Sequence, residues 1–266
     1  MKQRIVTGAI GGVIFIGLTI VGQWYYYGLI LLLALIGYAE YVRMNGLKWT
    51  HPASLLGFAG MLVMLVPWRE LGIGEPSAVH MLWLLMFLLL AVTVVTKNAM
   101  TIDGAALMLL GSLYIGYGFY AMFAVRNGEV HGLLTTLMAF AAIWSSDIGA
   151  YFTGKAIGKH KLWPSISPNK TVEGSLGGAV LAVIVALLFA LFAPDVISVW
   201  RALLIGVIAA VAGQFGDLIQ SAYKRVRGIK DTGTLLPGHG GVLDRCDSWL
   251  IVFPLLLMTG LLPLNG

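Results

Sequence analysis

Charged residues are scarce in this chain of 266 residues. Asp, Glu, Lys and Arg make up 11% of the sequence and hydrophobic residues 59%, whereas soluble domains carry about 25% charged residues. Apolar runs recur along the whole length, each long enough to cross a hydrocarbon core of about 30 Å as a helix. This composition excludes an ordinary soluble domain and predicts a polytopic membrane protein.

Cysteine and the common short catalytic motifs are also nearly absent. Cys246 is the one thiol in the sequence, which excludes an internal disulfide and a thiolate cluster for zinc. The sequence contains no GxxxxGK[ST], HExxH or GxSxG pattern, so P-loop, zinc-protease and nucleophilic-serine chemistry have no support.

Nine apolar runs predict an all-α bundle of about nine transmembrane helices, because backbone groups in lipid must form their hydrogen bonds within the segment. The expected spans are roughly 5–22, 25–39, 52–67, 78–96, 104–125, 132–151, 174–193, 199–220 and 248–264. We divide the chain into N-terminal transmembrane helices, 1–130, and a C-terminal transmembrane catalytic region, 131–266. The second region holds two polar loops, 152–173 and 221–247.

Basic residues are distributed unevenly between the two sides of this bundle. With a cytoplasmic N-terminus, fourteen of the 17 Lys and Arg fall on inner segments and three, Arg69, Arg126 and Arg201, on outer ones. The positive-inside rule then places both polar loops in the cytoplasm. We expect an inner (cytoplasmic) membrane protein with its active site facing the cytoplasm. The net charge of +5 comes without a long basic run, so membrane lipid is an expected partner and nucleic acid is not.

Two GxxxG pairs lie in apolar runs, Gly8–Gly12 and Gly174–Gly178. Such pairs mark either helix contacts within a chain or a dimer face. A homodimer is expected.

Two aspartates lie at the ends of otherwise uncharged spans. These are Asp147 in AAIWSSDIGAYFTG and Asp217 in AAVAGQFGDLIQSAYKR. A carboxylate near membrane depth costs several kcal/mol unless it faces a partner, a cation or water. They are therefore candidates for a metal or substrate site, the alternative being pairing with Lys155 and Lys224 or exposure in the headgroup layer.

The loop 221–247 is the densest polar segment, with eight charged residues and five glycines in 27 positions. It adds the carboxylates Asp231, Asp244 and Asp247. Its candidate phosphate-binding cations are Lys224, Arg225, Lys230 and Arg245. Separated carboxylates beside basic residues are typical of metal-dependent phosphoryl or nucleotidyl transfer. A solvated surface loop would explain Arg227, but not the PGHGG segment. There Gly240 and Gly241 allow close approach of backbone N–H groups to a phosphate, and His239 is a candidate phosphate ligand.

The loop 152–173 ends in a candidate anion site. Lys170, Thr171 and Glu173 precede a helix that starts with glycine, where N–H groups and the helix dipole favour an anion. Ser167-Pro168-Asn169 predicts a turn. Ser221 has no adjacent general base, so we expect it to bind substrate and not to act as a nucleophile.

These residues resemble the phosphatidate cytidylyltransferase (CDP-diacylglycerol synthase) family. Its pattern runs S-x-x-K-R, four residues, K-D, then P-x-H-G-G-x-x-D-R-x-D. Here it reads Ser221, Lys224-Arg225, Lys230-Asp231, Pro237, His239-Gly240-Gly241, Asp244-Arg245 and Asp247. The likeness covers about 145 to 250, and residues 1–130 match only as generic apolar spans. One departure is Gln220, where family members commonly carry glutamate.

The resemblance implies that CTP and phosphatidate react to CDP-diacylglycerol and diphosphate, with Mg²⁺ and a monovalent cation such as K⁺. We expect Asp217 and Asp244 to be the metal ligands, with Asp147 and then Asp247 as second choices. The expected catalytic residues are Asp217, Asp244, Lys224, Arg245 and Asp247. The expected substrate-binding residues are Lys170, Thr171, Glu173, Ser221, Arg225, Lys230, Asp231, His239, Gly240 and Gly241.

Two other functions stay open at this point. A CTP-dependent polyprenol or phytol kinase shares the membrane setting and the aspartates, although the KD…PGHGG…DR.D segment fits the transferase better. A transporter would bind its coupling ion at intramembrane aspartates. Against it, the charge lies on one membrane side and the densest motif is a loop.

Overall fold

The computed structural model describes residues 2–128, 130–233 and 240–262. Within these residues the chain forms ten helices and one antiparallel β-hairpin. Their order is α1 (Lys2–Val21), α2 (Gln23–Met44), α3 (Pro52–Leu65), α4 (Ala78–Val95), α5 (Ile102–Asn127), α6 (Gly132–Ile157), β1 (Lys161–Trp163), β2 (Ser167–Thr171), α7 (Val172–Phe192), α8 (Val199–Val226), α9 (Leu243–Cys246) and α10 (Trp249–Met258).

Six of the described helices, α2, α4, α5, α6, α7 and α8, are long and apolar enough to cross a membrane. The shorter apolar helices are α3, α10 and the Gly8–Val21 part of α1. The predicted all-α membrane architecture is therefore confirmed. Crossing by all nine segments and the orientation of the N-terminus remain predictions.

Two helices run further than the sequence predicts. Helix α6 continues to Ile157 and α8 to Val226, so Ser221 and Lys224 lie on a helix and not in a loop. The chain after the predicted span 199–220 contains no glycine or proline until Gly228. That glycine has a φ of +66°, and the N–H groups of Gly228 and Ile229 return to the carbonyls of Arg225 and Lys224. This glycine-ended cap closes α8.

Glycines bring α6 and α7 into close contact. A Cβ on Gly178 would lie 2.5 Å from the carbonyl oxygen of Ser146, and one on Gly174 would lie 2.7 Å from that of Ala150. The Gly174–Gly178 pair is thus a helix contact within the chain. The homodimer stays a prediction, with Gly8–Gly12 as its remaining candidate.

A β-hairpin occupies half of the predicted loop 152–173, and the end of α6 occupies its start. Strands β1 and β2 pair antiparallel, and their turn lies at residues 164–166, closed by a hydrogen bond from Ile166 N–H to the Trp163 carbonyl (3.1 Å). The turn predicted at Ser167-Pro168-Asn169 is wrong, because those residues belong to β2. Pro168 is tolerated there since both strands of a two-stranded hairpin are edges.

The two predicted regions share one core. Phe140 of α6 packs edge-on against Phe15 of α1, with ring centroids 5.1 Å apart, and against Phe253 of α10 at 4.9 Å. Asn45 at the end of α2 accepts hydrogen bonds from Tyr223 of α8 and from Arg227, the residue directly after α8, both at 2.6 Å. The polar segment after α8 is thus held by contacts from both regions.

Candidate active site

One cavity of about 820 Å³ lies where α6, the hairpin, α7, α8 and the α9–α10 segment meet. Its volume is within the range of about 300–1,000 Å³ common for small-molecule sites. The residues from the predicted set that line it are Asp147, Lys170, Thr171, Asp217, Lys224, Asp231, Asp244, Arg245 and Asp247. The fold therefore gathers these residues, which are spread over a hundred positions, at one end of the bundle.

Asp217 and Lys170 form the first ion pair in the cavity. Lys170 Nζ lies 2.7 Å from Asp217 Oδ2, and the Asp217 side chain keeps 39% of its surface exposed. The hydroxyl of Ser221 donates to Asp217 Oδ1 at 3.1 Å. Because Asp217, Ser221 and Lys224 follow one another at i, i+4 and i+7, all three lie on one face of α8. Asp217 thus retains capacity for a further partner on the cavity side.

Asp244 and Lys224 form a second ion pair that is largely shielded from solvent. Lys224 Nζ lies 2.6 Å from Asp244 Oδ1, and the Asp244 side chain is 5% exposed. Oδ2 accepts hydrogen bonds from Thr232 N–H at 2.8 Å, Thr232 Oγ1 at 3.0 Å and Gly241 N–H at 3.0 Å. Burial opposes ionisation, but the bonds from Lys224, Gly241 and Thr232 hold the pKa of Asp244 below its ordinary value. Asp244 is a charged carboxylate that organises its own loop.

Asp247 and Asp147 complete the acidic wall of the cavity. Asp247 Oδ1 accepts from the N–H of Ser248 at 2.7 Å. Burial, followed by the negative charge of Asp217, raises the pKa of Asp247 to about 7. Three carboxylates from α6, α8 and the α9–α10 junction thus repel one another across the cavity, and a cation would relieve that repulsion.

This donor set fits magnesium only in part. Among the residues that the structure describes, no three His, Cys, Asp or Glu side chains are close enough to hold a metal ion by themselves. Mg²⁺ usually takes one or two carboxylates and completes its shell with waters and substrate phosphates. The oxygen donors of Asp217, Asp147 and Asp247 suit an ion that arrives with a nucleotide.

The predicted anion site at the start of α7 is occupied by the protein's own groups. Thr171 caps α7, and its hydroxyl accepts from Gly174 N–H at 3.1 Å. Glu173 accepts from the N–H groups of Lys159 and His160 and contacts His160 Nδ1 at 2.6 Å. Glu173 therefore shapes the entrance to the hairpin, while Lys170 provides the cation in the cavity.

Several other predicted site residues lie around the cavity and not on its wall. Arg225 donates to the Ile166 carbonyl at 3.3 Å and so holds the hairpin turn, and Lys230 is exposed. Gly241 donates its N–H to Asp244, which corrects the expectation that this group is open to a phosphate. A Cβ on Gly240, whose φ is +83°, would lie 2.8 Å from Asp244 Oδ2. His239 lies outside the described residues.

Comparison with known proteins identifies the family. A model described as the cytidylyltransferase family matches residues 2–262. The chain belongs to the cytidylyltransferase family. It is similar to phosphatidate cytidylyltransferases of Bacillus subtilis (strain 168), at 42% identity over 259 residues and 96% of each chain, and of Staphylococcus saprophyticus, at 39% over 261 residues. A phosphatidate cytidylyltransferase of Staphylococcus aureus (strain COL) is 38% identical over 261 residues, 96% of this chain and 97% of the relative.

This cytidylyltransferase cavity also contains residues that the sequence motifs did not indicate. Lys155, Asn169 and Gln214 line it, and Gln214 is bound to Ser175, with its Nε2 donating to the Ser175 carbonyl at 3.1 Å. Asn169 could have been found beside Lys170 in the motif. Gln214, in an apolar run, gave no signal. The departure at Gln220 is not part of the cavity wall, and that residue is buried.

A carboxylate from the N-terminal region also reaches the catalytic segment. Glu40 of α2 is 4% exposed and accepts hydrogen bonds from the N–H groups of Val242 and Leu243, both at 3.0 Å. The available signal was one acidic residue directly after an apolar run, a pattern that equally marks the end of a span.

Proposed function

We propose that this protein transfers the cytidylyl group of CTP to phosphatidate, forming CDP-diacylglycerol and diphosphate. The relatives named above carry that activity in their names and match the chain almost end to end. The observation that supports it within the molecule is the cavity, where aspartates alternate with Lys170, Lys224 and Arg245 at the end of membrane-type helices. That combination suits two phosphate-bearing substrates and a cation.

In this mechanism the basic residues hold phosphates and the reaction is a displacement at phosphorus. Lys170, Lys224 and Arg245 bind oxygens of the triphosphate and of the lipid phosphate. An oxygen of phosphatidate attacks the α-phosphorus of CTP, and the bond from that phosphorus to the α–β bridging oxygen breaks. Diphosphate leaves with the electron pair. The attacking oxygen is already ionised, so the reaction needs no strong general base.

The proposal assigns Mg²⁺ to Asp217, Asp244 and Asp147, with Asp247 beside them. When bound, Mg²⁺ neutralises charge that develops on the triphosphate. Asp244 Oδ1 is paired with Lys224 Nζ, so Asp244 would be available to the ion if Lys224 bound a substrate phosphate instead. The proposal includes a second, monovalent cation such as K⁺, because the substrates bring further negative charge into an already acidic cavity.

The membrane setting completes the proposal. The protein would lie in the inner membrane with the cavity facing the cytoplasm, where CTP is available, while phosphatidate presents its phosphate at headgroup depth. Both polar segments line the same cavity, in keeping with the one-sided distribution of basic residues. A homodimer belongs to this proposal, with the exposed Gly8–Gly12 pair of α1 as its candidate face, where a Cβ on Gly12 would meet no described atom within 4 Å.

Labelled CTP tests the reaction against the kinase alternative. Purified protein in mixed micelles is given phosphatidate or diacylglycerol with CTP labelled at the α- or the γ-phosphorus. We expect α label in the lipid with phosphatidate as acceptor, and γ label in water as diphosphate. An Asp217→Asn variant serves as the background control. Recovery of γ label in the lipid, with α label left in water as CDP, would replace the transferase by a kinase.

A further inference from the structure

Glu40 joins the N-terminal region to the catalytic segment through hydrogen bonds. Its Oε1 accepts from Val242 N–H and its Oε2 from Leu243 N–H. The hydroxyl of Thr232 lies 3.1 Å from Oε2 and shares its one proton between Glu40 and Asp244. The donors lie about two hundred positions along the chain. A buried carboxylate is costly unless donors surround it. Among the described residues, the N–H groups of Val242 and Leu243 supply such donors to Glu40.

Glycines provide the space for this carboxylate. A Cβ on Gly233 or on Gly241 would clash with the Glu40 oxygens. A Cβ on Gly37 of α2 would lie 3.2 Å from Leu243. Gly233 and Gly241 therefore present backbone without a side chain to the Glu40 carboxylate. Two glycines of the conspicuous 221–247 segment are thus explained by a protein contact.

The same network continues from Glu40 to Asp244. Thr232 Oγ1 lies 3.1 Å from Glu40 Oε2 and 3.0 Å from Asp244 Oδ2, and the Thr232 N–H also donates to Asp244. Glu40 holds the start of α9, and Asp244 and Arg245 lie on that helix. A shift of Glu40 would therefore displace the groups proposed to hold the cation and the phosphates.

We propose that Glu40 is a positioning residue that seats residues 240–247 and so places Asp244 and Arg245 for catalysis. The inference deepens the proposed function and depends on it for the catalytic part alone. A carboxylate is required, because the N–H groups of Val242 and Leu243 donate to different oxygens of Glu40. A glutamine would turn an NH₂ group towards at least one N–H or hydroxyl.

Cys246 offers a direct readout of whether the segment is seated. It is the one thiol in the sequence, it lies on α9, and it is 1% exposed. Its rate of modification by N-ethylmaleimide in micelles reports local opening of the segment, independently of any reaction. The comparison uses wild type, Glu40→Gln, Glu40→Asp and Tyr41→Phe. The last is a matched control, since Tyr41 donates from the same helix to the Leu107 carbonyl at 2.9 Å, away from the segment.

For Glu40→Gln we expect Cys246 modification to rise at least about tenfold, because one charge-assisted hydrogen bond holds a closed state by about that factor. In the transfer assay kcat should fall about 100-fold while KM for CTP stays within about threefold, as for a misplaced reacting group. Glu40→Asp should show a Cys246 modification rate and a kcat between those of Glu40→Gln and wild type. Tyr41→Phe should change neither the modification rate nor kcat. If Glu40→Gln does not fold, the intermediate values expected of Glu40→Asp decide the question.

Two results would overturn the proposal. One is a Cys246 modification rate in folded Glu40 variants equal to that of Tyr41→Phe. The other is faster modification with unchanged kcat, which would make the contact structural only. If wild type transferred no cytidylyl group, the modification rates would still show whether Glu40 seats the segment, so failure of the proposed function is distinguishable.

Discussion

Two lysine–aspartate pairs face the same cavity, yet their surroundings differ. Lys170 and Asp217 come from β2 and α8, and the aspartate keeps 39% of its side-chain surface exposed. Lys224 and Asp244 come from α8 and α9, and both are buried, with 13% and 5% exposed. Among the bonds between described residues, Asp217 also accepts from Ser221, whereas Asp244 accepts from the N–H and hydroxyl of Thr232 and from Gly241 N–H.

The difference separates two uses of a carboxylate. Asp217 lies on a rigid helix and keeps lone pairs directed at the cavity, which suits a ligand that arrives from outside. Asp244 shapes the loop that carries it, so its removal affects both chemistry and local structure. Charge alone does not distinguish the two, because each has one lysine partner at 2.6 to 2.7 Å.

The largest effect is expected at the buried pair. Asp244→Asn should lose activity about 1,000-fold, since one proposed metal ligand disappears. It should also weaken the closed loop by about 1.5–3 kcal/mol, the usual cost of losing a hydrogen bond to a buried charge. Transfer assays and Cys246 modification rates measure the two parts. Near-wild-type turnover in correctly folded protein would show that the metal assignment is wrong.

At the open pair the chemical effect should appear alone. Asp217→Asn should lose activity about as strongly at any Mg²⁺ concentration, while thermal unfolding and Cys246 modification stay as in wild type, because few internal bonds depend on Asp217. The matched control is Asp195→Asn, an exposed aspartate between α7 and α8, which should retain full activity. Slower turnover that excess Mg²⁺ restores would reduce Asp217 to an auxiliary role.

A smaller effect is expected where charge is kept and geometry is lost. Arg245→Lys should retain measurable activity with a KM for CTP raised about tenfold, because a lysine cannot replace the two-pronged guanidinium contact to phosphate. Initial rates over a range of CTP concentrations test this. A loss as complete as that of Asp244→Asn would instead point to a role in the displacement itself.

Single-cysteine labelling tests on which side of the membrane the cavity lies. It leaves both lysine–aspartate pairs intact, so the smallest effect on activity is expected here. Cys246 is buried, so the native thiol is a poor topology probe. In a Cys246→Ala background, exposed single cysteines at Lys159 and Lys230 should react with an impermeant maleimide only in inside-out vesicles, because both flank the cavity. Asp195→Cys should react only in intact cells. Labelling of Lys159→Cys and Lys230→Cys from opposite sides would contradict a single cytoplasmic cavity.

The sequence by itself determined the class of fold and the candidate residues. Apolar length and the cost of unpaired backbone groups in lipid lead directly to helices, so the approximate positions of the spans follow from hydropathy alone. The spacing from Ser221 to Asp247 indicated the family and supplied part of the charged lining of the cavity, while Asp147, Asp217 and Lys170 were found at the ends of apolar spans and in the other polar loop. It could not show that α8 extends past membrane depth, because local polarity looks the same in a loop and in a helix end.

Only the tertiary structure decided which partners meet. Lys170 and Asp217 come together because glycines let α6 and α7 pack closely and carry the hairpin over α8. Glu40 finds Val242 across 202 positions, a contact that no periodicity or motif encodes. The physical reason is that helix formation depends on near neighbours in sequence, whereas a buried carboxylate depends on whichever donors the packed helices bring to it.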